Sequence, residues 1–314
     1  MVHSHERGKT MDNLYFGEII RIRREELNMK QEDLCKDICE RSTLSKIERG
    51  KNECGRYLAE LLLQKLGLPM DFYYASSNKT AIDQMLIRNQ IKDAIRMREY
   101  DKLAELLEKG LQFVDDSKLY HQFILRSKAT YAIYVENNLP KAREILLNAL
   151  KIIHPYFDID NITKPLFSED ILILNTFANT YSQEINYEKA INIFKILVDI
   201  VKSKSNDDID SMRTLIMLEY NLSRVLGRAD YYKECLIVAE EAIELSTRSG
   251  TMTYLGELLM NKAYALCSIH SRKEEGILAL KDALTFNRLT NRHETVEIIK
   301  KDSKSLFGID LSDF

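Results

Sequence analysis

The sequence predicts an all-α protein in two parts: a small N-terminal group of short helices, then a long succession of paired helices. Three observations predict it. Only 11 Gly and 4 Pro interrupt 314 residues, in a chain rich in the Leu, Ile, Lys and Glu that favour helices. Apolar residues recur three and four apart rather than in alternation. One short motif also returns five times after residue 98, the mark of a stacked array. Hydrophobic residues at 45% and charged residues at 30% supply a sizeable core and argue against disorder.

Composition excludes several classes. The five Cys, at 35, 39, 54, 235 and 267, form no CxxC pair. Cys35 and Cys39 have no His or Cys nearby to complete a zinc site. Reduced thiols in a cytoplasmic protein are expected, with no metal or other cofactor. Residues 1–13, MVHSHERGKTMDN, are polar and read as a flexible N-terminus rather than a signal peptide. No run approaches the roughly 18 apolar residues of a membrane span. A net charge of −3 means that nucleic-acid binding must be argued from where charges sit.

Residues 14–74 read as one domain of four or five short helices. The first, about Phe16 to Leu27, puts Phe16, Ile19, Ile20 and Leu27 on one face and Arg21 and Arg24 largely on the other. A second begins near Gln31, with Leu34 and Ile38 as its buried stripe, and breaks near Glu40. The third, about Ser42 to Glu48, buries Leu44 and Ile47 and stops at Gly50, a C′ glycine. A fourth, about Arg56 to Leu66, closes the small core. Two short helices joined by a tight turn are the geometry that presents a helix to the DNA major groove. Residues 41–56 concentrate Arg41, Lys46, Arg49, Lys51 and Arg56 against Glu48 and Glu53 alone. Lys and Arg can neutralise phosphates, while Ser, Thr and Lys can reach base edges. Taken alone, STLSKIERGK also reads as a solvated helix.

The stretch FGEIIRIRREELNMKQEDLCKDICERSTLSKIERGK resembles the phage-repressor-like (XRE) class of helix-turn-helix domains. Gly17, Ile20, Arg24, Gln31, Leu34, Ser45, Ile47, Glu48 and Gly50 occupy matching places. Arg23 stands where that class has an apolar residue, and Cys35 where it has Ala or Ser. The resemblance implies a phosphate contact at Gln31 and base readers at Ser42, Thr43 and Lys46. Arg24, Arg41, Ser45, Arg49 and Lys51 complete the expected DNA-binding set. Glu48 is expected to cap or ion-pair within the domain.

Residues 75–98 read as a linking helix or first repeat helix, and 99–314 as the repeat array. YDKLAELLEKGL, LPKAREILLNAL, YEKAINIFKILV, YKECLIVAEEAI and KEEGILALKDAL share one pattern. Their turn-proximal residues Leu103, Ala142, Ala190, Cys235 and Gly276 lie 39, 48, 45 and 41 residues apart. Mostly small, they suit a close helix–helix approach. Ahead of Ala190, the helix ILILNTFANTYSQEI places Ala178 and Tyr181, with Phe194 following. This is the tetratricopeptide (TPR) arrangement, with a longer period than usual; an irregular bundle is the competing reading. The expected fold is therefore all-α, a helix-turn-helix domain followed by a TPR-like right-handed superhelix.

In such an array the first helix of each pair lines the concave face. There lie Asn175 and Asn179, Asn221 and Arg224, and Asn261 and Lys262. Asn is a poor helix former, so its recurrence invites explanation. Its amide donates and accepts at once, which suits an extended peptide backbone, and Arg224 suits a carboxylate. Six dispersed His, no HExxH and no Gly-rich phosphate loop argue against an enzyme.

The order of domains, with GLPMDFY, FANTY, EYN and AIELSTRSGTM, resembles the RRNPP family of peptide-pheromone-responsive regulators, nearest its PlcR type. That resemblance implies a cytoplasmic homodimer on palindromic double-stranded promoter DNA, controlled by a short imported signalling peptide, with no membrane partner. On the family's pattern Asn179 and Asn221 match asparagines that hold the peptide backbone; Asn175, Arg224, Asn261 and Lys262 are added from geometry. Two alternatives stand beside it: a TPR protein regulating a protein partner, of the phosphatase or response-regulator-blocking kind, and a small-molecule-sensing helix-turn-helix regulator.

Overall fold

A computed structural model describes residues 16–75, 79–114, 117–163, 166–203 and 208–311. The expectation of a flexible stretch at 1–13 lies outside them. The described residues form helices throughout, with no strand. They fall into two compact units divided between Ile124 and Leu125.

The first unit opens with α1 (16–26), α2 (Gln31–Cys35), α3 (Arg41–Glu48), α4 (Arg56–Lys65) and α5 (Asp71–Ala75). Phe16, Ile20, Leu34, Leu44, Ile47, Leu62 and Leu66 make the core. Gly17 is required where α1 meets α3, because a β-carbon there would stand 1.9 Å from the Ile47 carbonyl oxygen. Gly50 is left-handed (φ 65°). The Gly50 and Lys51 amides return to the Ile47 and Lys46 carbonyls at 2.9 and 2.8 Å, the two bonds of a Schellman stop.

Two expectations are corrected. Leu27 is 42% exposed, because Asn28 turns left-handed (φ 51°) and ends α1 before it reaches the core. Ile38 is only half-buried, because Asp37 (φ 65°) breaks the stripe it was to share with Leu34. Arg23 uses its departure from the class pattern: its Nε donates to the Leu66 carbonyl at 3.3 Å, at the open end of α4.

Helices α6 (Lys79–Met97) and α7 (Tyr100–Leu111) pack as a pair. Ile82, Met85 and Leu86 of α6 join the N-terminal core, which is why the compact unit extends past residue 74. The division falls within α8 (Lys118–Tyr134), followed by α9 (Leu139–Lys151), α10 (Ser168–Gln183), α11 (Tyr187–Ser203), α12 (Ile209–Arg228), α13 (Tyr232–Ser249), α14 (Leu255–Ser268), α15 (Lys273–Leu289) and α16 (His293–Phe307). Each helix from α9 to α16 packs on the next, while α12 also meets α10 and α14. First helices of successive pairs therefore neighbour one another, as a TPR-like superhelix requires.

The small turn-proximal residues do what their size allows. Ala142, Ala190 and Cys235 are buried. A β-carbon on Gly276 would meet the Cys267 backbone nitrogen at 2.7 Å. Five residues before the motif position, the turn is left-handed at Arg98, Asn137, Ile185 and Asp230. Only the last unit departs, with a 3-10 turn over His270–Arg272.

Candidate functional site

Two sets of residues are brought together, one in each unit. In the first, α3 leans its apolar face on the core and turns Ser42, Lys46 and Arg49 to solvent, with Lys51 beyond and Thr43 and Ser45 half-buried. Arg49 donates from Nε and Nη2 to the Ser45 carbonyl and hydroxyl at 2.9 and 3.0 Å. Arg41 pairs with Glu32 at 3.0 Å, both well exposed. A surface pair of this kind is worth under about 1 kcal/mol and yields readily to a phosphate.

Arg24, placed by helix period on the open face, turns inward. Its Nε and Nη2 reach the Glu48 carboxylate at 2.7 and 3.1 Å, and Nη1 reaches the Met29 carbonyl at 2.9 Å. The hydrogen bond to Glu48 holds the guanidinium pKa above its usual value. Gln31 donates to the same carboxylate at 2.7 Å. Glu48, 3% exposed, thus ties α1 and the start of α2 to α3 and fixes the exposed helix. It ion-pairs within the domain.

In the second unit the polar residues of the first helices meet across repeats. Asn221 on α12 donates to the Asn175 side-chain oxygen on α10 at 2.9 Å. Arg224 Nη2 donates to the Asn179 oxygen at 2.6 Å and to Asn221 at 3.2 Å. Asn179 returns to the Asn175 carbonyl at 3.0 Å, and Asn261 on α14 donates to the Ser223 hydroxyl at 2.9 Å. Asn175, Asn179, Asn221 and Arg224 therefore form a connected polar ladder between α10 and α12, and Asn261 extends it to α14 through Ser223 and the Tyr220 carbonyl rather than through the other members. Lys262 stands apart from it, paired with Glu240 on α13 at 2.9 Å. The ladder differs from a row of free amides, since its groups already bond one another. A ligand must exchange those bonds rather than find them open.

Beside the ladder lies a cavity of about 780 Å³ lined mainly by α12, α14 and α16, with Tyr232 and Cys235 at the start of α13 and Lys273 at the start of α15. Tyr220 stacks on Tyr254 with centroids 4.9 Å apart, and the Arg224 guanidinium sits 5.5 Å over the Tyr220 ring. Burial pushes the thiols of Cys235 and Cys267, on the cavity wall, up to about 12 and about 11, so both stay protonated at neutral pH. Among the described residues no group of His, Cys, Asp and Glu could hold a metal ion, and no helix is long and apolar enough to cross a membrane. The sequence reading missed Glu257, Met260 and the α16 wall.

A family model described as the RNPP family C-terminal domain matches residues 88–307. The chain belongs to the RNPP family. A helix-turn-helix model matches residues 20–73, so this RNPP-family chain carries that domain ahead of its helical array. No curated protein matches it in sequence. Among solved structures, Bacillus thuringiensis PlcR in complex with the peptide PapR7 and DNA is similar at 20% identity and a TM-score of 0.59, over 91% of this chain and 99% of that one. The competence regulator ComR from Streptococcus vestibularis, in complex with its signalling peptide XIP, is similar at 17% identity and a TM-score of 0.52, over 93% and 98%. These likenesses show the fold.

Proposed function

We propose that this RNPP-family protein is a cytoplasmic, quorum-sensing transcription regulator. It reads palindromic promoter DNA as a homodimer through α3 and is controlled by a short imported peptide in the TPR groove. The observation that carries the reading is the polar ladder: amides recur on three successive first helices, with one guanidinium among them. A ladder of this kind suits main-chain recognition, in which amides exchange hydrogen bonds with peptide N–H and C=O groups. The solved structures of PlcR with peptide and DNA, and of ComR with peptide, support it.

On the DNA side, Ser42, Thr43 and Lys46 meet base edges. Gln31, Arg41, Ser45, Arg49 and Lys51 meet the backbone, and Arg24 holds the frame behind them. Selection of duplexes from a random library with the full chain supplies the site. Lys46→Ala and Thr43→Ala are then expected to weaken that site by roughly 1–3 kcal/mol each and to relax sequence preference. Lys51→Ala is expected to weaken all duplexes alike and flatten the salt dependence. An unchanged preference in Lys46→Ala would overturn the assignment of α3.

A further inference from the structure

The turn between α2 and α3 carries two thiols that DNA and peptide binding leave without a role. Cys35 ends α2, and Cys39 stands two residues before α3 begins at Arg41. Asp37 turns left-handed between them (φ 65°), and the Cys39 amide closes on the Cys35 carbonyl at 3.0 Å. That is the closure of one helical turn, in which β-carbons four residues apart stand about 5–6 Å from one another. A disulfide needs β-carbons about 3.8 Å apart and α-carbons within about 6.8 Å. A small tightening of the turn therefore brings the two sulfurs to bonding distance. The Cys35 thiol makes only a weak bond now, donating to the Glu32 carbonyl at 3.6 Å.

Exposure and charge order the reactivity. Cys35 and Cys54 are 6% and 7% exposed, while Cys39 is half-buried at the edge of the same core. Burial raises the Cys39 thiol pKa and the neighbouring Cys35 adds to it, while the Leu44 amide in the first turn of α3 pulls it back. Burial pushes the Cys54 thiol further, to about 12. Thiols held protonated react slowly with hydroperoxides and disulfides, which need the thiolate. A chlorinating oxidant is strong enough to act on Cys39.

We propose that Cys39 and Cys35 form a redox site in this turn, oxidised to a disulfide by hypochlorous acid and restored by a dithiol, and that the disulfide switches DNA binding off. The Cys39 sulfur attacks chlorine: an S–Cl bond forms, the Cl–O bond breaks, and the oxygen leaves as water with the thiol proton. The Cys35 sulfur then attacks the Cys39 sulfur. An S–S bond forms, chloride departs with the electron pair of the S–Cl bond, and the Cys35 proton passes to solvent. Two electrons have moved from the two thiols to chlorine. The Glu40 carbonyl, beside Cys39, accepts from the Thr43 and Leu44 amides at 2.9 and 3.1 Å and so starts α3. Drawing the β-carbons together by about 2 Å therefore shifts Ser42 and Thr43, whereas a binding site needs placement within about 0.5 Å. This rests on the reading of α3 above and adds its control by an oxidant.

The test treats the full chain with one equivalent of hypochlorous acid and digests it unreduced with trypsin. QEDLCK and DICER, the peptides on either side of the cut after Lys36, are expected as one species two hydrogens lighter than their sum. Affinity for the duplex selected above is expected to fall at least tenfold. Dithiothreitol should restore it, which separates the bridge from methionine oxidation. Cys39→Ser is expected to bind the duplex as wild type does and to keep that affinity after treatment, while treated Cys54→Ser loses it. A bridge from Cys39 to Cys54, or between two chains, overturns the site. So does a bridged chain whose DNA affinity stays within twofold of the reduced one. If the reduced chain binds no duplex, the reading of α3 falls and the switch with it, while the peptide map still decides the disulfide.

Discussion

Glu48 accepts three hydrogen bonds in the first unit, two from Arg24 and one from Gln31. Removing one partner of a buried ion pair strands the other charge, at a cost of about 3–5 kcal/mol. Arg24→Ala is therefore expected to lower the thermal midpoint of the full chain, read by circular dichroism. Arg24→Lys should recover only part of it, since an ammonium lacks the fork that spans both carboxylate oxygens. A DNA-binding defect in Arg24→Ala at unchanged stability would instead make Arg24 a direct contact. The inward turn of Arg24 was not legible from its own helix, because period assigns a face and a partner on α3 decided the side. Glu48 was legible, from its place in the S-K-I-E run. Ile185 carries a second residue-scale prediction. It holds φ 64° while 73% exposed, a left-handed conformation that costs a residue with a β-carbon about 1–2 kcal/mol. Ile185→Asn is expected to stabilise by about 1 kcal/mol and to raise the midpoint by about 2–4 °C. A lower midpoint would mean that the side chain contributes more than the strain costs.

Helices of the repeat array are phased by two features that coincide. The left-handed residues Arg98, Asn137, Ile185 and Asp230 sit five positions ahead of Leu103, Ala142, Ala190 and Cys235. The small residues were legible because close packing restricts their size. The turns were not, because four different residue types adopt one conformation that helix packing imposes. The ladder follows from this phasing: equivalent positions on α10, α12 and α14 come within reach, so Asn221 can bond Asn175 across 46 residues of sequence. Its asparagines were legible by composition, but their mutual bonding was not, since it depends on repeat-to-repeat distance. With Asn179→Ala and Asn221→Ala combined, affinity for a short peptide selected on the wild-type chain from a random library is expected to fall. The loss is about 1–3 kcal/mol for each side chain, or roughly tenfold to a hundredfold. Calorimetry reads it, with circular dichroism confirming the fold because Asn221 is buried. Affinity within twofold of wild type would refute the ladder as the peptide's grip.

For the whole molecule, the decisive quantity is how many half-sites it reads. One helix-turn-helix unit places one recognition helix in one stretch of major groove, and a two-fold dimer reads two such stretches about 34–36 Å apart. Symmetry doubles the base contacts without enlarging the domain, and it matches a palindromic site. The helical array offers far more surface for association than the small N-terminal core. It leaves Ile237, Leu278 and Leu289 more than half exposed on or beside second helices. The full chain is therefore expected to sediment at micromolar concentration as a species of twice the 36.6 kDa of one chain. Its DNA affinity should drop steeply when one half of the selected palindrome is scrambled, because the second subunit then keeps only its salt-dependent phosphate contacts. Sedimentation at one chain's mass, together with equal affinity for whole and half palindromes, would refute the dimer and leave a protein that reads DNA through a single α3.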